Sequence, residues 1–409
     1  MALTEGRSRR TPIVAVASVT LFALVVPAVS AGASVAPAQI RSCVVPAVAT
    51  HAAPISGTSF GAPRAWPSKV LVKKAMVQVL DAATGSMYEL LSENPDSAGP
   101  DLLEGFSLKG GPPRKGPTFG LGGGYSNSLA LADGALWVGG SVGAGNDPPG
   151  PQLCQVNPTT LRVVRRVPLP PPGPGNSSGA PTLVSPGPRG TVWVGYQRTL
   201  ADVDVRNGAV LSTQTVPSGV IVSLATDPAI RLLYVSVSYP TIDGKAVDAA
   251  VEERSASTGQ LLVSTSATSP VTGSVAGGIL TALPDGVATS FRTGMHGGTV
   301  LLSAADLSEI IPPGLGTADR FPDKPPADIF SWPMDASTLY ASGSLWIENE
   351  WGVLACVDPA SGAVRASEQS DSANGSSMEL LGTVAHRHQL LGAVNNEVLS
   401  ITAPKTCWR

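Results

Sequence analysis

Histidine occurs only four times in this 409-residue chain, so any clustering of it is the first place to look for chemistry. His386 and His388 alternate in "AHRHQ". On a strand, residues two apart share a face, and two imidazoles on one face could chelate a metal ion. No third ligand lies nearby in sequence, and two polar side chains at a strand edge are the plainer account. His296, in "TGMHGG", falls where a hairpin turn is expected. The carboxylates that could join these histidines in an acid–base or metal set are Asp319, Asp323, Glu348 and Glu350. Residues 312–333 form the most chemically mixed stretch, and Asp319, Arg320, Phe321, Asp323, Lys324 and Trp332 make it a candidate binding loop.

Other motifs fall away on their own requirements. "FGLGGGYSNS" (119–128) is Gly-rich but lacks the Gly-Lys-Ser/Thr ending of a phosphate loop, and Tyr125 stands where G-x-G-x-x-G needs its last Gly. There is no HExxH or EF-hand loop. The four cysteines, Cys43, Cys154, Cys356 and Cys407, contain no CxxC, which leaves neither a zinc site nor a redox motif. The sequence therefore names no catalytic residue, no cofactor and no metal.

The elements that would hold these residues are easier to read. Gly (45) and Pro (37) make up a fifth of the chain, which favours many turns and short strands over long helices. One phrase recurs: an apolar alternation, then Asp or Asn, then a turn, then a second strand. It is clearest in "LACVDPASGAVRA" (354–366) and returns in "VQVLDAATGSMYEL" (77–90), "CQVNPTTLRVVRRVPL" (154–169), "ADVDVRNGAVLST" (201–213), "EERSASTGQLLVST" (252–265) and "TVLLSAADLSEII" (299–311). Each reads as a β-hairpin. Upstream of most lies a strand centred on an aromatic and preceded by a Gly turn, as in "DGALWVGG" and "RGTVWVGY". The centres are Trp137, Trp193, Tyr234 and Trp346, with weaker copies at Ala288 and Gly392, spaced 41 to 58 residues apart. Units of that length, each worth four strands, are the signature of propeller blades. The large aromatics are expected to pack between blades.

"LWV" followed by V-D/N-P-x-x-G-x-V resembles the secreted bacterial β-propellers of the YVTN-repeat and quinoprotein (PQQ)-like superfamily, over roughly residues 50–403. The resemblance implies an all-β chain forming a single propeller. We expect seven four-stranded blades, with six or eight as alternatives, at 51–98, 126–170, 181–218, 219–270, 271–315, 335–372 and 373–403. The stretch 97–128 is read as a long connection between the first two. It carries over no catalytic residue, because the adjacent-cysteine pair and the shared Trp-docking signature of quinoproteins are missing.

Domain organisation follows. Arg7, Arg9 and Arg10 precede the apolar run Pro12–Val26, and "AVSAGA" (28–33) supplies small residues for cleavage. That is the layout of a secretory signal peptide over 1–33, with an uncleaved anchor as the competing reading. Residues 34–50 are expected to close the last blade, 51–403 to form the β-propeller, and 404–409 to be a tail. A ring brings its ends together, so Cys43 and Cys407 are the expected disulfide, as a clasp; four cysteines allow three connectivities. The net charge of −3 gives no reason to expect nucleic acid as partner, and no second apolar run of spanning length follows the first. The leading expectation is a monomeric, secreted or cell-surface, non-enzymatic propeller that binds a protein, glycan or small molecule. The competing readings are a quinoprotein- or lactonase/lyase-like enzyme and a structural scaffold of an envelope assembly.

Overall fold

The structure is a computed structural model that describes residues 64–65, 75–81, 83–92, 101–109, 112–119, 128–142, 150–171, 182–216, 219–227, 229–238, 249–265, 275–293, 296–310, 337–348, 353–369, 379–394 and 397–408. These residues form seven antiparallel sheets. In chain order they span 75–119 (sheet 1), 128–168 (sheet 2), 182–215 (sheet 3), 220–264 (sheet 4), 275–303 (sheet 5), 337–369 (sheet 6) and 379–402 (sheet 7). Within sheets 1 to 6 each strand pairs with the one before it, so each sheet is a meander. The first strands of successive sheets lie against one another, and that of sheet 7 (Glu379–Val384) meets that of sheet 1 (Ala75–Asp81). The first strands therefore line a common axis and the ring is closed: a seven-bladed β-propeller, as the sequence led us to expect.

Sheet 7 has only three strands of its own. Its outer strand is Arg64–Ala65 from the N-terminal side, paired through Arg64 with Ser400 and Ala65 with Leu399. The residues expected in that role, 34–50, lie outside the described ones. Sheet 5 has three strands, and a bridge between Leu302 and Glu309 stands where its fourth would begin.

Two turn chemistries build the blades. First and second strands of sheets 2, 3 and 6 are joined by Asp133-Gly134, Arg189-Gly190 and Ser342-Gly343, with both residues of each pair at positive φ. Such turns match the twist of paired strands. Third and fourth strands are joined by the recurrent phrase. In sheet 6, Asp358 Oδ1 accepts the amides of Ala360 and Ser361 at 3.1 Å, and Gly362 N donates to Asp358 O at 2.9 Å. Asn157 does the same for Thr159 and Thr160 in sheet 2. Gly259 shows why the closing position is often Gly: its φ is +70°, and a Cβ there would stand 2.7 Å from the Trp193 ring of the preceding blade.

Sheet 1 differs from expectation. Its Asp81–Gly85 turn joins the first and second strands, not the third and fourth. The third and fourth are Asp101–Ser107 and Arg114–Phe119, inside the stretch read as a connection. Buried Leu103 and Phe106 lie on opposite faces of the third strand, one in each adjoining blade junction, and the Gly and Pro residues around it hid that pattern.

The core consists of seven apolar clusters, one at each blade junction. Trp137, Trp193, Tyr234 and Trp346 are fully buried in four of them. Trp193 Nε1 also donates to Ala256 O of the next blade at 2.8 Å. The cluster between sheets 7 and 1, with Met87, Phe106 and Leu108 against Leu381, Leu391 and Val398, completes the circle.

The disulfide corrects the expected clasp. Cys407 is bonded to Cys356 of sheet 6, not to Cys43, which lies outside the described residues. The physical reason is where the tail goes: Lys405–Cys407 forms a short turn beside the fourth strand of sheet 6, and Ser344 Oγ donates to Cys407 O at 2.6 Å. Cys154 is free and buried, and burial pushes its thiol pKa up.

Peptide mapping without reduction should recover a Cys356–Cys407 peptide pair; a Cys43–Cys407 pair would refute this arrangement. Replacing both partners with Ser opens a loop with a sequence separation of 51, which should cost about 4 kcal/mol in chemical denaturation. Trp193→Ala should cost about 3–5 kcal/mol, and Trp193→Phe much less, because it forfeits chiefly one hydrogen bond worth about 1 kcal/mol.

Candidate binding site

The wall around the axis is made by the seven first strands, whose sequences run SLALA, TLVSP, VIVSLAT and STLYA in sheets 2, 3, 4 and 6. Among the first-strand side chains described, the one charged group is Asp81, at a strand end, where it caps its own turn by accepting from Thr84 Oγ1 at 2.7 Å. Hydroxyls do the remaining polar work. Ser185 and Thr226 meet at 2.7 Å between sheets 3 and 4, Thr281 and Thr338 at 2.7 Å between sheets 5 and 6, and Ser342 and Thr383 at 3.0 Å between sheets 6 and 7. Ser223 Oγ accepts from Leu280 N at 3.0 Å, and Ser337 Oγ from Leu380 N at 2.9 Å. These short hydroxyl side chains bridge neighbouring blades, whereas Ser128 Oγ on the first strand of sheet 2 is buried without a hydrogen-bond partner among the described residues. Ile279, on the first strand of sheet 5 where its pairing is irregular, is 67% exposed and offers an apolar surface. Such a wall can exchange hydrogen bonds with neutral polar groups and pack against apolar ones.

A second feature lies between sheets 4 and 5. A cleft of about 540 Å³ is lined by Arg231, Leu232, Pro284, Asp285, Ser303, Ala304 and Ala305. Near it Tyr234 and Glu253 are cross-strand neighbours, both buried, and neither the Tyr234 hydroxyl nor Glu253 Oε2 has a hydrogen-bond partner among the described residues. Burial, then the Asp227 charge, pushes the Glu253 carboxyl up. Burial also raises Tyr234, with Glu253 and Asp227 adding to it. Asp227 itself accepts Leu232 N at 2.7 Å and stands 3.6 Å from Arg231 Nε. A carboxyl of raised pKa beside a phenol is acid–base chemistry in principle, but here both groups are buried at the blade junction.

The pattern behind this cluster was missed from sequence. The third-strand residue opposite each central aromatic is Gln155, Asp202, Glu253 and Cys356 for Trp137, Trp193, Tyr234 and Trp346. Asp202 is raised like Glu253, chiefly by burial. Glu252 and Arg254, flanking Glu253 and pointing the other way, form a buried ion pair at 2.7 Å. The visible signal was the run Glu252-Glu253-Arg254 within an otherwise apolar strand.

The sequence-derived candidates do not assemble. Glu348 is buried at the end of the second strand of sheet 6. His296 begins the third strand of sheet 5, next to the expected turn, with its side chain outside the described set. His386 and His388 do not alternate along a strand. Residues 385–387 form a 3-10 turn, because the hairpin from Val384 to Gln389 needs a four-residue loop. His388 takes a left-handed conformation with its ring 5.4 Å from that of Trp408. Asp319, Arg320, Phe321, Asp323, Lys324, Trp332 and Glu350 lie outside the described residues.

No family model matches the chain, and none of the curated proteins matches it. Solved structures do match in fold. One is the WD40 domain of Pan2 from Neurospora crassa, with a TM-score of 0.51 and 10% identity, covering 85% of this chain and 96% of that one. At that identity the likeness speaks for the propeller fold.

The Glu253 environment has a measurable consequence. Its folded pKa lies above the ordinary 4.5, so stability is fullest below that value and falls as pH rises through the raised one. Glu253→Gln should therefore raise the unfolding midpoint at pH values above the raised pKa and flatten its fall as pH climbs from about 4.5. An unchanged pH profile would show that folding does not raise the Glu253 pKa.

Proposed function

We propose that this chain is an exported, non-enzymatic binding propeller that takes a protein, glycan or small neutral ligand at one end of its ring, outside the cell or at its surface. The observation that carries the reading is the set of first strands around the axis, in which hydroxyl and apolar side chains predominate and three hydroxyl pairs bridge neighbouring blades. Loops on a rigid ring are where propellers and similar scaffolds carry recognition. Support for export comes from the N-terminal Arg-rich, apolar and small-residue layout, and a Cys356–Cys407 disulfide suits an oxidising compartment. Among the described residues no helix is long and apolar enough to cross a membrane. The phrase shared with YVTN-repeat and PQQ-like propellers fits the same address. The candidate enzyme residues that are described are occupied structurally, Glu348 inside sheet 6 and His388 against Trp408.

The test has two arms. Chain recovered from the culture medium should begin near residue 32 or 34 on N-terminal sequencing; a propeller confined to the cytoplasm and shielded from protease added outside the cell would overturn export. On an array of neutral and anionic oligosaccharides and peptides, the purified protein should retain a neutral ligand, and Ile279→Asp should weaken it about tenfold, equivalent to about 1.4 kcal/mol. Consumption of the retained ligand, or a stoichiometric metal in the purified protein, would sink the non-enzymatic reading.

A further inference from the structure

The outer strands repeat a detail that blade packing does not use. In sheet 2, Val156 pairs with Val163 and Gln155 with Arg165, which leaves Val164 as an extra, bulged residue. The same register jump leaves Leu211 in sheet 3 and Leu262 in sheet 4. These three are 60%, 55% and 49% exposed, and Leu261 beside the last is 41% exposed. They account for most of the large exposed apolar side chains among the described residues. In sheet 6 the equivalent residue is Arg365, which folds inward to Asp358 at 2.6 Å and caps its own blade. Natural edge strands place charges at such positions to prevent pairing. Three consecutive blades instead present an apolar side chain.

The charges around this stripe are one-sided. Over the outer strands and their preceding turns in sheets 2 to 4 (157–168, 204–215 and 255–264) the cations are Arg162, Arg165, Arg166 and Arg206, and the one acid is Asp204. Asp204 is spent on Arg206 at 2.7 Å, which holds its carboxyl down at about 2. Arg162 and Arg166 are exposed and make no ion pair among the described residues, in a chain whose net charge is −3. No exposed aromatic stands among them to stack a base or anchor in a bilayer.

We propose that the outer rim of sheets 2, 3 and 4 is a docking surface for an amphipathic acidic protein segment, with Val164, Leu211 and Leu262 as the apolar contacts and Arg162 and Arg166 as the charge partners. Both features are needed: the apolar positions give contact area, and the unpaired arginines select for carboxylates and speed encounter. The surface lies on the circumference, so it operates whether or not a ligand occupies the axis.

Fluorescence anisotropy with the full chain and labelled synthetic peptides tests this. An alternating Leu-Glu peptide should bind, while an alternating Leu-Lys peptide and an oligo-Glu peptide should not. Leu211→Asp with Leu262→Asp, and separately Arg162→Glu with Arg166→Glu, should each weaken binding about tenfold or more, equivalent to about 1.4 kcal/mol. The milder pair Leu211→Ser and Leu262→Ser guards against a folding defect, and all variants should keep the parent unfolding midpoint. Equal binding of oligo-Glu would reduce the surface to a polyanion patch and overturn the proposal, as would equal binding of Leu-Lys or no binding at all. Concentration-dependent dimerisation abolished by the Leu→Asp pair would assign the stripe to a second copy of this chain and equally overturn it.

Discussion

Every blade of this protein has two apolar faces and can cover neither by itself. A sheet of four short strands gains stability only when a neighbour removes its faces from water. That constraint produces the repetition, because each added sheet covers one face and exposes another until the last meets the first. The junction between sheets 7 and 1 is therefore the decisive contact. Met87, Phe106 and Leu108 meet Leu381, Leu391 and Val398 there, and without it two sheets would each leave an apolar face bare.

What could be read from sequence divides along the range of the interaction. Turns are local: Asp133-Gly134 and Asp358 to Gly362 announce themselves because a left-handed residue and a capping carboxylate sit within five positions. The buried aromatics were legible for a similar reason, since Trp137 and Trp193 centre runs of alternating apolar residues beside a Gly turn. Leu161 and Leu307 were harder. They hold the left-handed position that Gly fills elsewhere, at φ 53° and 55°, and their side chains are buried in the adjoining junctions. Burial of a Leu, worth about 1.5–3 kcal/mol, offsets a strain of about 1–3 kcal/mol.

Non-local features were not legible, for physical reasons. The third and fourth strands of sheet 1 are recognisable only once Leu161 of sheet 2 is seen filling the space beside Gly105 and Gly116. The turn at Asp81 has the chemistry of the others but joins a different pair of strands, and turn chemistry alone does not say which. His386 and His388 looked like strand residues because alternation is indistinguishable from a short turn in five letters. The partner of Cys407 depended on where a six-residue tail would lie, and the tail turns toward sheet 6. At the site, the polar residues opposite the aromatics read as ordinary strand residues until the register set Asp202 against Trp193 and Glu253 against Tyr234.

The two chain ends do different jobs at the same weak point. Pairing Arg64 with Ser400 joins residues more than 300 apart, so its loop-closure entropy must be met late, after the other blades have stacked. Two residues of ladder are a thin clasp for that purpose. The C-terminal side supplies the complement: Ala403 and Cys407 sit in the apolar cluster between sheets 6 and 7, with Trp408 packed against Trp346 at 5.4 Å. The disulfide thus fixes sheet 7 to its predecessor, while the strand from the N-terminal side fills its open edge. Because sheet 7 is held to sheet 6 independently, the last step is reduced to bringing a positioned edge against sheet 1. A clasp between the termini would have left that step to chance, since it would tie the ends together without orienting the final blade.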